Sequence, residues 1–224
     1  MKQIPLAIGL DTAQSFDSFV PGSNTMALAH LLAMNAASPP VYLWGPSGSG
    51  KTHLLQSLAQ RFQQQGGVVA WFGAADASPW TADEAAALIV FDNCDAFDAD
   101  QQQSAFALFV DAITRTTPVA AAGRLPPVDL PLRDDLRTRL GWGHVLAIQP
   151  LSEAESRAAL RREADRRGLF LSDDVIDHLL TRFTRDMKHL MALLDRLDRF
   201  ALVNKRAITV PLLKQMLAEE GGAE

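Results

Sequence analysis

Short apolar runs alternate with longer amphipathic stretches along the first 150 residues of the chain. Five of the apolar runs are four or five residues long and are bounded by turn-forming residues, which is typical of strands buried on both faces of a sheet. These runs are Val41–Trp44, Val68–Phe72, Leu88–Phe91, Pro118–Ala122 and Val145–Ile148. The stretches between them have apolar residues at helical spacing, at about 25–36, from 51 onward, and at 101–114 and 134–140.

Five strands with helices between them predict an α/β fold: a doubly wound, parallel, five-stranded sheet with helices on both faces. Ligands of such folds bind at the carboxyl ends of the strands. The link between the second and third strands, residues 73–87, has only 15 residues, which is close to the minimum for a helical crossover. We therefore expect a single short helix there, from about Thr81.

The last quarter of the chain predicts a small all-α domain of about four helices. Ser152 and Glu155 form a capping box that opens the first helix, which runs to about Arg167. The others begin at about 172, 185 and 211, and Met and Leu recur along them at the spacing of a helix core. The predicted organisation is an extended tail of residues 1–15, a nucleotide-binding α/β domain of residues 16–150, and a helical lid of residues 151–224.

The segment after the first strand has the composition of a phosphate-binding loop. The sequence Val41–Thr52 is VYLWGPSGSGKT, a strand followed by G-x-x-x-x-G-K-T and an apolar-periodic helix. Glycines let backbone N–H groups converge on a phosphate, and the helix N-terminus adds partial positive charge. The side chain of Lys51 is predicted to reach the β- and γ-phosphates of ADP or ATP, and the Thr52 hydroxyl to bind Mg²⁺. The nucleotide-binding residues predicted here are Gly45, Pro46, Ser47, Gly48, Ser49, Gly50, Lys51, Thr52 and His53.

The third strand ends in an acidic residue. Four apolar residues followed by Asp92, downstream of a phosphate-binding loop, predict a carboxylate that organises Mg²⁺ together with Thr52. A hydrolase usually has a second acid at the next position, as the base that orients the attacking water. Here that catalytic position is Asn93, which cannot take up a proton, and Asp95 is expected to point differently. We therefore expect tight nucleotide binding and slow hydrolysis.

Composition excludes several other classes of protein. With 48% hydrophobic and 21% charged residues the chain is an ordinary globular protein, and a net charge of −5 is unlike that of a basic nucleic-acid binder. DNA contact is therefore expected to be indirect or through a partner. The single cysteine, Cys94, allows no internal disulfide, and no apolar run is long enough to span a membrane. We expect a cytoplasmic protein with no membrane contact.

Three further groups of residues have more than one interpretation on the residues alone. The tail residues Gln3, Leu6 and Ile8 either dock into a groove of a partner or pack as a strand on their own domain. Val20 and Pro21 either cover an adenine ring or belong to plain packing around Phe16 and Phe19. The arginines at 133, 137 and 139 form surface ion pairs, or one of them acts in trans on a neighbouring nucleotide.

A phosphate-loop sheet followed by a four-helix lid resembles the AAA+ superfamily. The run from Phe16 to Asn24, the loop GPSGSGKT, the segment RLGWG at 139–143 and the lid together resemble the DnaA-related AAA+ family over nearly the whole chain. Its shorter, regulatory members are the better match: the sequence stops after the lid, Asp92-Asn93 matches their acidic strand ending, and Gln3–Ile8 resembles their clamp-docking motif, with Pro5 as a departure.

The resemblance implies a function as well as a fold. Arg139 stands at the arginine-finger position, so it would act on ATP bound to a neighbouring DnaA molecule while the chain itself is nucleotide-bound and docked on the sliding clamp of DNA polymerase III, thereby limiting re-initiation of replication. The same arginine would also allow a homo-oligomer. Lys188 stands where a second-sensor arginine is usual, and residues 122–124 lack the usual small polar or acidic first sensor.

Two other functions stay open from the sequence. A nucleotide-switched adaptor, akin to a helicase loader, would not need the tail or the clamp. An autonomous ATPase motor is disfavoured by Asn93.

Overall fold

The structure is a computed structural model that describes residues 15–183 and 187–221, with side chains for all of these except residues 188, 220 and 221. The predicted partner-binding residues Gln3, Leu6 and Ile8 lie outside the described residues. The chain divides into two compact units; the main boundary lies between Gln149 and Pro150, and residues 47–49 group with the second unit. Within the described residues, none of the helices is long and apolar enough to cross a membrane.

The first unit contains a five-stranded sheet in which all strand pairs are parallel. The strands are β1 (Val41–Trp44), β2 (Val68–Gly73), β3 (Ala86–Asp92), β4 (Val119–Gly123) and β5 (His144–Ala147), in the spatial order β2-β3-β4-β1-β5. All five predicted strands are confirmed. Strand β1 lies between β4 and β5, so its carboxyl end is flanked by those of both neighbours.

Four α-helices cover the sheet: α1 (Thr25–Ala33), α2 (Lys51–Gln64), α3 (Ala99–Thr114) and α4 (Asp134–Leu140). Helix α1 ends three residues earlier than predicted. Asn35 and Ser38 explain this, because the Asn35 carboxamide accepts from the N–H of Ala37 and the Ser38 hydroxyl accepts from the N–H of Asn35. Such local side-chain bonds compete with the helical backbone pattern.

The two faces of the sheet bury alternate residues of the same strands. Leu43, Leu88 and Val90 pack with α1 and α2, whereas Ile89 and Phe91 pack on the opposite face with α3 and α4. This alternation follows from the two-residue period of a strand and explains why the strand sequences are continuously apolar. The fold class is confirmed: α/β, with helices on both faces.

The short helix predicted from Thr81 is wrong, because the link between β2 and β3 is a loop without helix. Gln101 of α3 donates to the carbonyls of Ala74 and Asp76, at 3.1 and 3.0 Å, and so satisfies two backbone acceptors of this loop. The ring of Trp80 is buried in the core beneath the loop. Tertiary contacts therefore hold this connection in place of helical hydrogen bonds.

The second unit is all-helical. It contains α5 (Glu153–Arg166), α6 (Asp173–Arg182), α7 (Met187–Asn204) and α8 (Val210–Gly221), which confirms four predicted helices. The capping box at the start of α5 is present, since the side chains of Ser152 and Glu155 each accept from the other's backbone N–H. Its core is aliphatic and is formed mainly by Leu160, Val175, Ile176, Leu179, Leu190, Leu193, Leu197, Leu212, Leu213 and Met216.

Candidate functional site

The loop between β1 and α2 has a backbone conformation that only glycine adopts easily. Gly48 and Gly50 have φ of 76° and 97°, and α2 begins directly after Gly50. A Cβ at Gly50 would also lie only 2.8 Å from Cε2 of Phe19. The loop therefore wraps tightly against the preceding segment, with the N-terminal N–H groups of a 14-residue helix at its end.

The ammonium of Lys51 lies inside this loop. Its Nζ atom donates to the carbonyls of Gly45 and Pro46, at 2.7 and 2.8 Å, and the residue is buried. Burial lowers the pKa of Lys51, and the carboxylates of Asp92 and Asp95 act in the opposite direction. The loop thus encloses a cation at the position where the sequence predicts phosphate binding.

Thr52 and Asp92 meet at the carboxyl edge of the sheet. The Thr52 Oγ1 atom donates to Asp92 Oδ2 at 2.8 Å, and Asp92 Oδ1 accepts from the N–H of Asn93 at 3.0 Å. Burial raises the pKa of Asp92, against the two hydrogen bonds and the charge of Lys51, which lower it. A hydroxyl and a carboxylate so joined fit Mg²⁺, which takes one or two protein ligands beside phosphate oxygens.

Metal sites of another kind are absent from the part of the chain that the structure describes. Within it, no group of three or more His, Cys, Asp or Glu side chains is placed to hold a metal ion. Thr52 and Asp92 offer two ligands, so a Mg²⁺ ion held by them would take its other ligands from phosphate oxygens or water.

Asn93 follows Asp92 directly, in the left-handed backbone region with φ of 56°. Asn tolerates this conformation better than most residues, and the residue is exposed. The structure thus places an amide, rather than a second carboxylate, immediately after Asp92. Slow hydrolysis stays a prediction.

The segment that precedes α1 lies beside the loop. Val20 and Pro21 are half-buried and follow Phe19, whose ring contacts His53 edge to face at 5.4 Å between centroids. The His53 Nε2 atom is 3.0 Å from the carbonyl oxygen of Ser15, so the imidazole contacts both the backbone and the Phe19 ring of this segment. Burial lowers the pKa of His53. Adenine binding by Val20 and Pro21, and nucleotide contact by His53, stay predictions.

Asp95 and Arg124 form an ion pair near the carboxyl ends of β3 and β4. The sequence did not predict this pair. Asp95 Oδ1 accepts from the backbone N–H of Arg124 at 2.9 Å, and Oδ2 accepts from its Nε at 2.5 Å. Only 5% of the Asp95 side chain is exposed, against 65% of the Arg124 side chain. One signal was available in the sequence: each residue follows a strand that ends at the site.

The arginines around α4 differ in their partners. Arg133 and Arg137 form ion pairs with Asp135 and Asp134, each at 2.6 Å. The side chain of Arg139 makes no ion pair or hydrogen bond with any described residue, and its guanidinium lies over the ring of Trp142, 5.2 Å from the centroid. Of these three arginines, Arg139 alone is therefore available for a negatively charged partner.

The remaining predicted site residue, Lys188, lies in the first turn of α7, but its side chain is outside the described residues. Its contact with phosphate stays a prediction.

Two family models match parts of the chain. The model of the lid domain of Hda matches residues 153–217, and that of the bacterial DnaA ATPase domain matches residues 10–69. The first match covers the helical unit from the start of α5. The second covers β1, the loop and α2 with Lys51 and Thr52, while Asp92 lies beyond its matched residues.

Solved structures share the fold at low sequence identity. Domain III of the replication initiation protein DnaA from Thermotoga maritima is 16% identical, with a TM-score of 0.77 over 93% of this chain and 97% of that one. DnaA from Aquifex aeolicus, solved with AMPPCP bound, is 20% identical, with a TM-score of 0.70 over 85% and 66%. RuvB from Thermotoga maritima is 16% identical, with a TM-score of 0.68 over 92% and 71%.

Proposed function

We propose that this chain, which the models of the bacterial DnaA ATPase domain and of the Hda lid domain match over residues 10–69 and 153–217, is a regulatory member of the DnaA-related AAA+ family that binds ADP or ATP and stimulates hydrolysis of ATP bound to DnaA. In this role it would dock on the DNA-loaded sliding clamp and limit re-initiation of replication. The nucleotide would hold the chain in the conformation that engages DnaA.

The loop residues support nucleotide binding. Lys51 supplies a buried cation, α2 supplies N–H groups at its first turn, and the pair of Thr52 and Asp92 supplies the oxygen ligands for Mg²⁺. The Mg²⁺ ion, when bound with the nucleotide, would neutralise charge on the phosphate oxygens. A nucleotide complex of the related DnaA from Aquifex aeolicus is consistent with this use of the loop.

The proposed trans-acting role rests on one observation, the unpaired guanidinium of Arg139 among the described residues. An arginine finger needs a guanidinium that is free to approach the phosphates of another molecule. Arg139 has no carboxylate partner among the described residues, whereas its neighbours Arg133 and Arg137 are ion-paired. The guanidinium lies over the Trp142 ring, a contact that uses none of its N–H donors.

Clamp docking rests on the sequence of the tail. Gln3, Leu6 and Ile8 would enter a groove of the clamp, and the clamp would bring the chain to DNA despite its net charge of −5.

The test is ATP hydrolysis by DnaA in the presence of this protein, ADP and clamp loaded on DNA, against a reaction that lacks the clamp. Clamp-dependent stimulation that is lost on deletion of residues 3–8 supports the proposal. If the protein binds nucleotide but neither the clamp nor the tail affects DnaA, the adaptor function replaces it. Rapid ATP turnover by the isolated chain would instead favour a motor.

A further inference from the structure

Asn24 is a buried polar residue at the end of the segment that lies beside the phosphate-binding loop. It ends a short 3-10 helix, Gly22–Asn24, directly before α1, and its backbone N–H donates to the carbonyl of Pro21 at 2.8 Å. Only 4% of the residue is exposed. A carboxamide that is removed from water needs partners for both its N–H donors and its oxygen acceptor.

The backbone of Gln149 supplies both partners. Asn24 Nδ2 donates to the carbonyl of Gln149 at 2.9 Å, and Asn24 Oδ1 accepts from the N–H of Gln149 at 2.8 Å. The two residues are 125 positions apart in the chain. Because the two hydrogen bonds run in opposite directions, they fix the orientation of the carboxamide as well as its position.

The Gln149 backbone is open to Asn24 because β5 is an edge strand. Among the strands of the described residues, β5 has β1 as its only neighbour. Ile148 continues this pairing, since its N–H donates to the carbonyl of Trp44 at 2.7 Å. The N–H groups of consecutive residues in an extended chain point to opposite sides, and those of Ile148 and Gln149 bond accordingly to Trp44 and Asn24. The carboxamide thus takes the place of the peptide group of a further strand.

The other end of the segment is attached to the first turn of α2. The His53 Nε2 atom lies 3.0 Å from the carbonyl oxygen of Ser15 and 3.2 Å from Oγ of Ser18. Between the two attachments, the Phe19 ring packs so closely on the loop that a Cβ at Gly50 would lie 2.8 Å from Cε2 of the ring. The segment is therefore fixed at one end by α2 and at the other end by the backbone that follows β5.

The two parts of a nucleotide depend differently on this segment. The phosphates are predicted to bind the loop and Lys51, whereas the nucleoside extends beyond the loop, and Val20 and Pro21 adjoin the loop next to Phe19. A binding segment that is already held in one conformation does not have to be ordered when the ligand binds. Loss of an attachment should therefore weaken contacts with the nucleoside and spare those with the phosphates.

We infer that Asn24 is a positioning residue: through the Gln149 backbone it holds the segment Phe19–Pro21 in place for the nucleoside part of a bound nucleotide. The inference rests on nucleotide binding at the loop, which is part of the proposed function.

The test is displacement of a fluorescent ADP analogue from the full chain by ADP and by pyrophosphate, each with Mg²⁺. Asn24→Ala is expected to weaken ADP binding by about tenfold, because the segment then has to be ordered on binding. Binding of pyrophosphate, which has no nucleoside, is expected to change by less than about twofold. Gln149→Ala is expected to bind both ligands as the wild type does, because this variant keeps the backbone groups to which Asn24 bonds.

Gln101→Ala is the matched control for a loss of stability. Gln101 is also a buried carboxamide that bonds to two backbone groups, but these belong to the loop after β2, at the other edge of the sheet. Melting temperatures verify that the variants fold. If Asn24→Ala does not fold, Gln149→Pro removes one of the two bonds and should give a smaller loss of ADP binding in the same direction.

Equal losses of ADP and pyrophosphate binding, or no loss of either, in a folded Asn24→Ala protein would overturn the assignment of Asn24 and leave the proposed function standing. A loss in Gln149→Ala as large as that in Asn24→Ala would also overturn it. A wild-type chain that does not bind the ADP analogue would overturn the proposed function itself.

Discussion

The hydroxyl of Thr52 donates a 2.8 Å hydrogen bond to the carboxylate of Asp92 and so joins the first turn of α2 to the end of β3. The two residues are 40 positions apart in the chain. Their meeting brings the two oxygen ligands predicted for Mg²⁺ to one place.

Asp92→Asn is expected to remove most of the Mg²⁺ dependence of nucleotide binding, because a neutral carboxamide is a weak ligand for a hard cation. Affinity for ATP in the presence of Mg²⁺ should fall by about tenfold or more, equivalent to 1.4 kcal/mol. Titrations with and without EDTA measure this. Asp100→Asn, an exposed acid in α3, is the control and should bind as the wild type does. A variant that keeps full Mg²⁺ dependence would contradict the metal assignment.

The same substitution should affect the stability of the nucleotide-free protein in the opposite sense. Burial raises the pKa of Asp92 on folding, so its contribution to stability is present below its unfolded pKa and is lost as pH rises through the raised value. Asp92→Asn should therefore raise the melting temperature at pH 7, with a smaller gain at pH 5. A gain of the same size at both values would rule out titration of Asp92 as the cause.

Arg139→Ala is expected to abolish most of the clamp-dependent stimulation of DnaA, by about 100-fold or more, because an arginine finger neutralises charge developing on the transferred phosphate. Arg137→Ala is the matched control, since this arginine lies on the same helix and pairs with Asp134. Both variants should bind the chain's own nucleotide normally. Equal activity of the two variants would contradict the finger assignment.

Trp142→Ala is expected to lower the same stimulation by only about two- to fivefold, because it removes an exposed cation–π contact rather than the cation. Trp142→Phe should recover part of the effect, since a phenyl ring still offers a face to the guanidinium. Stimulation assays at several concentrations of this protein show whether the loss is in binding to DnaA or in the rate at saturation.

Gly50→Ala should disrupt the loop for two reasons, its φ of 97° and the overlap of a Cβ with Phe19. Gly66→Ala isolates the first reason, because Gly66 has φ of 84° and open space around it. We expect a loss of about 1–2 kcal/mol in the free energy of unfolding for Gly66→Ala and a larger loss for Gly50→Ala, which should also lose nucleotide binding. Urea denaturation measures both losses. Equal losses would show that the Phe19 ring moves aside without lowering the free energy of unfolding.

Asn93→Asp tests the cause of the expected slow hydrolysis. The left-handed backbone at this position accepts Asp as well as Asn, so the fold should be unaffected. If the missing base limits turnover, ATP hydrolysis by the isolated chain should rise by about tenfold or more. Unchanged hydrolysis, with ATP still bound, would locate the limit elsewhere.

Local sequence was sufficient for much of the fold because the relevant contacts are short-range. Each of the signals used involves residues only a few positions apart. These signals are the glycines of the loop, the capping box of Ser152 and the apolar periodicity of the strands and helices. The helix predicted from Thr81 is absent, and the link is instead held by distant contacts such as those of Gln101 with the carbonyls of Ala74 and Asp76, 27 and 25 positions away. The apolar pattern of residues 73–87 was too weak to distinguish a short helix from a loop.

The sequence by itself determined the phosphate-binding loop, the acid at the end of β3, the amide after it and the order of strands and helices, since each depends on residue type and local spacing. Only the tertiary structure decided which charged residues are paired. Asp95 meets Arg124, and Arg139 is left on Trp142 while its neighbours find carboxylates. Ion pairing depends on the three-dimensional distance between side chains. That distance is set by the order of the parallel strands and the packing of the helices, and it cannot be read from sequence separation.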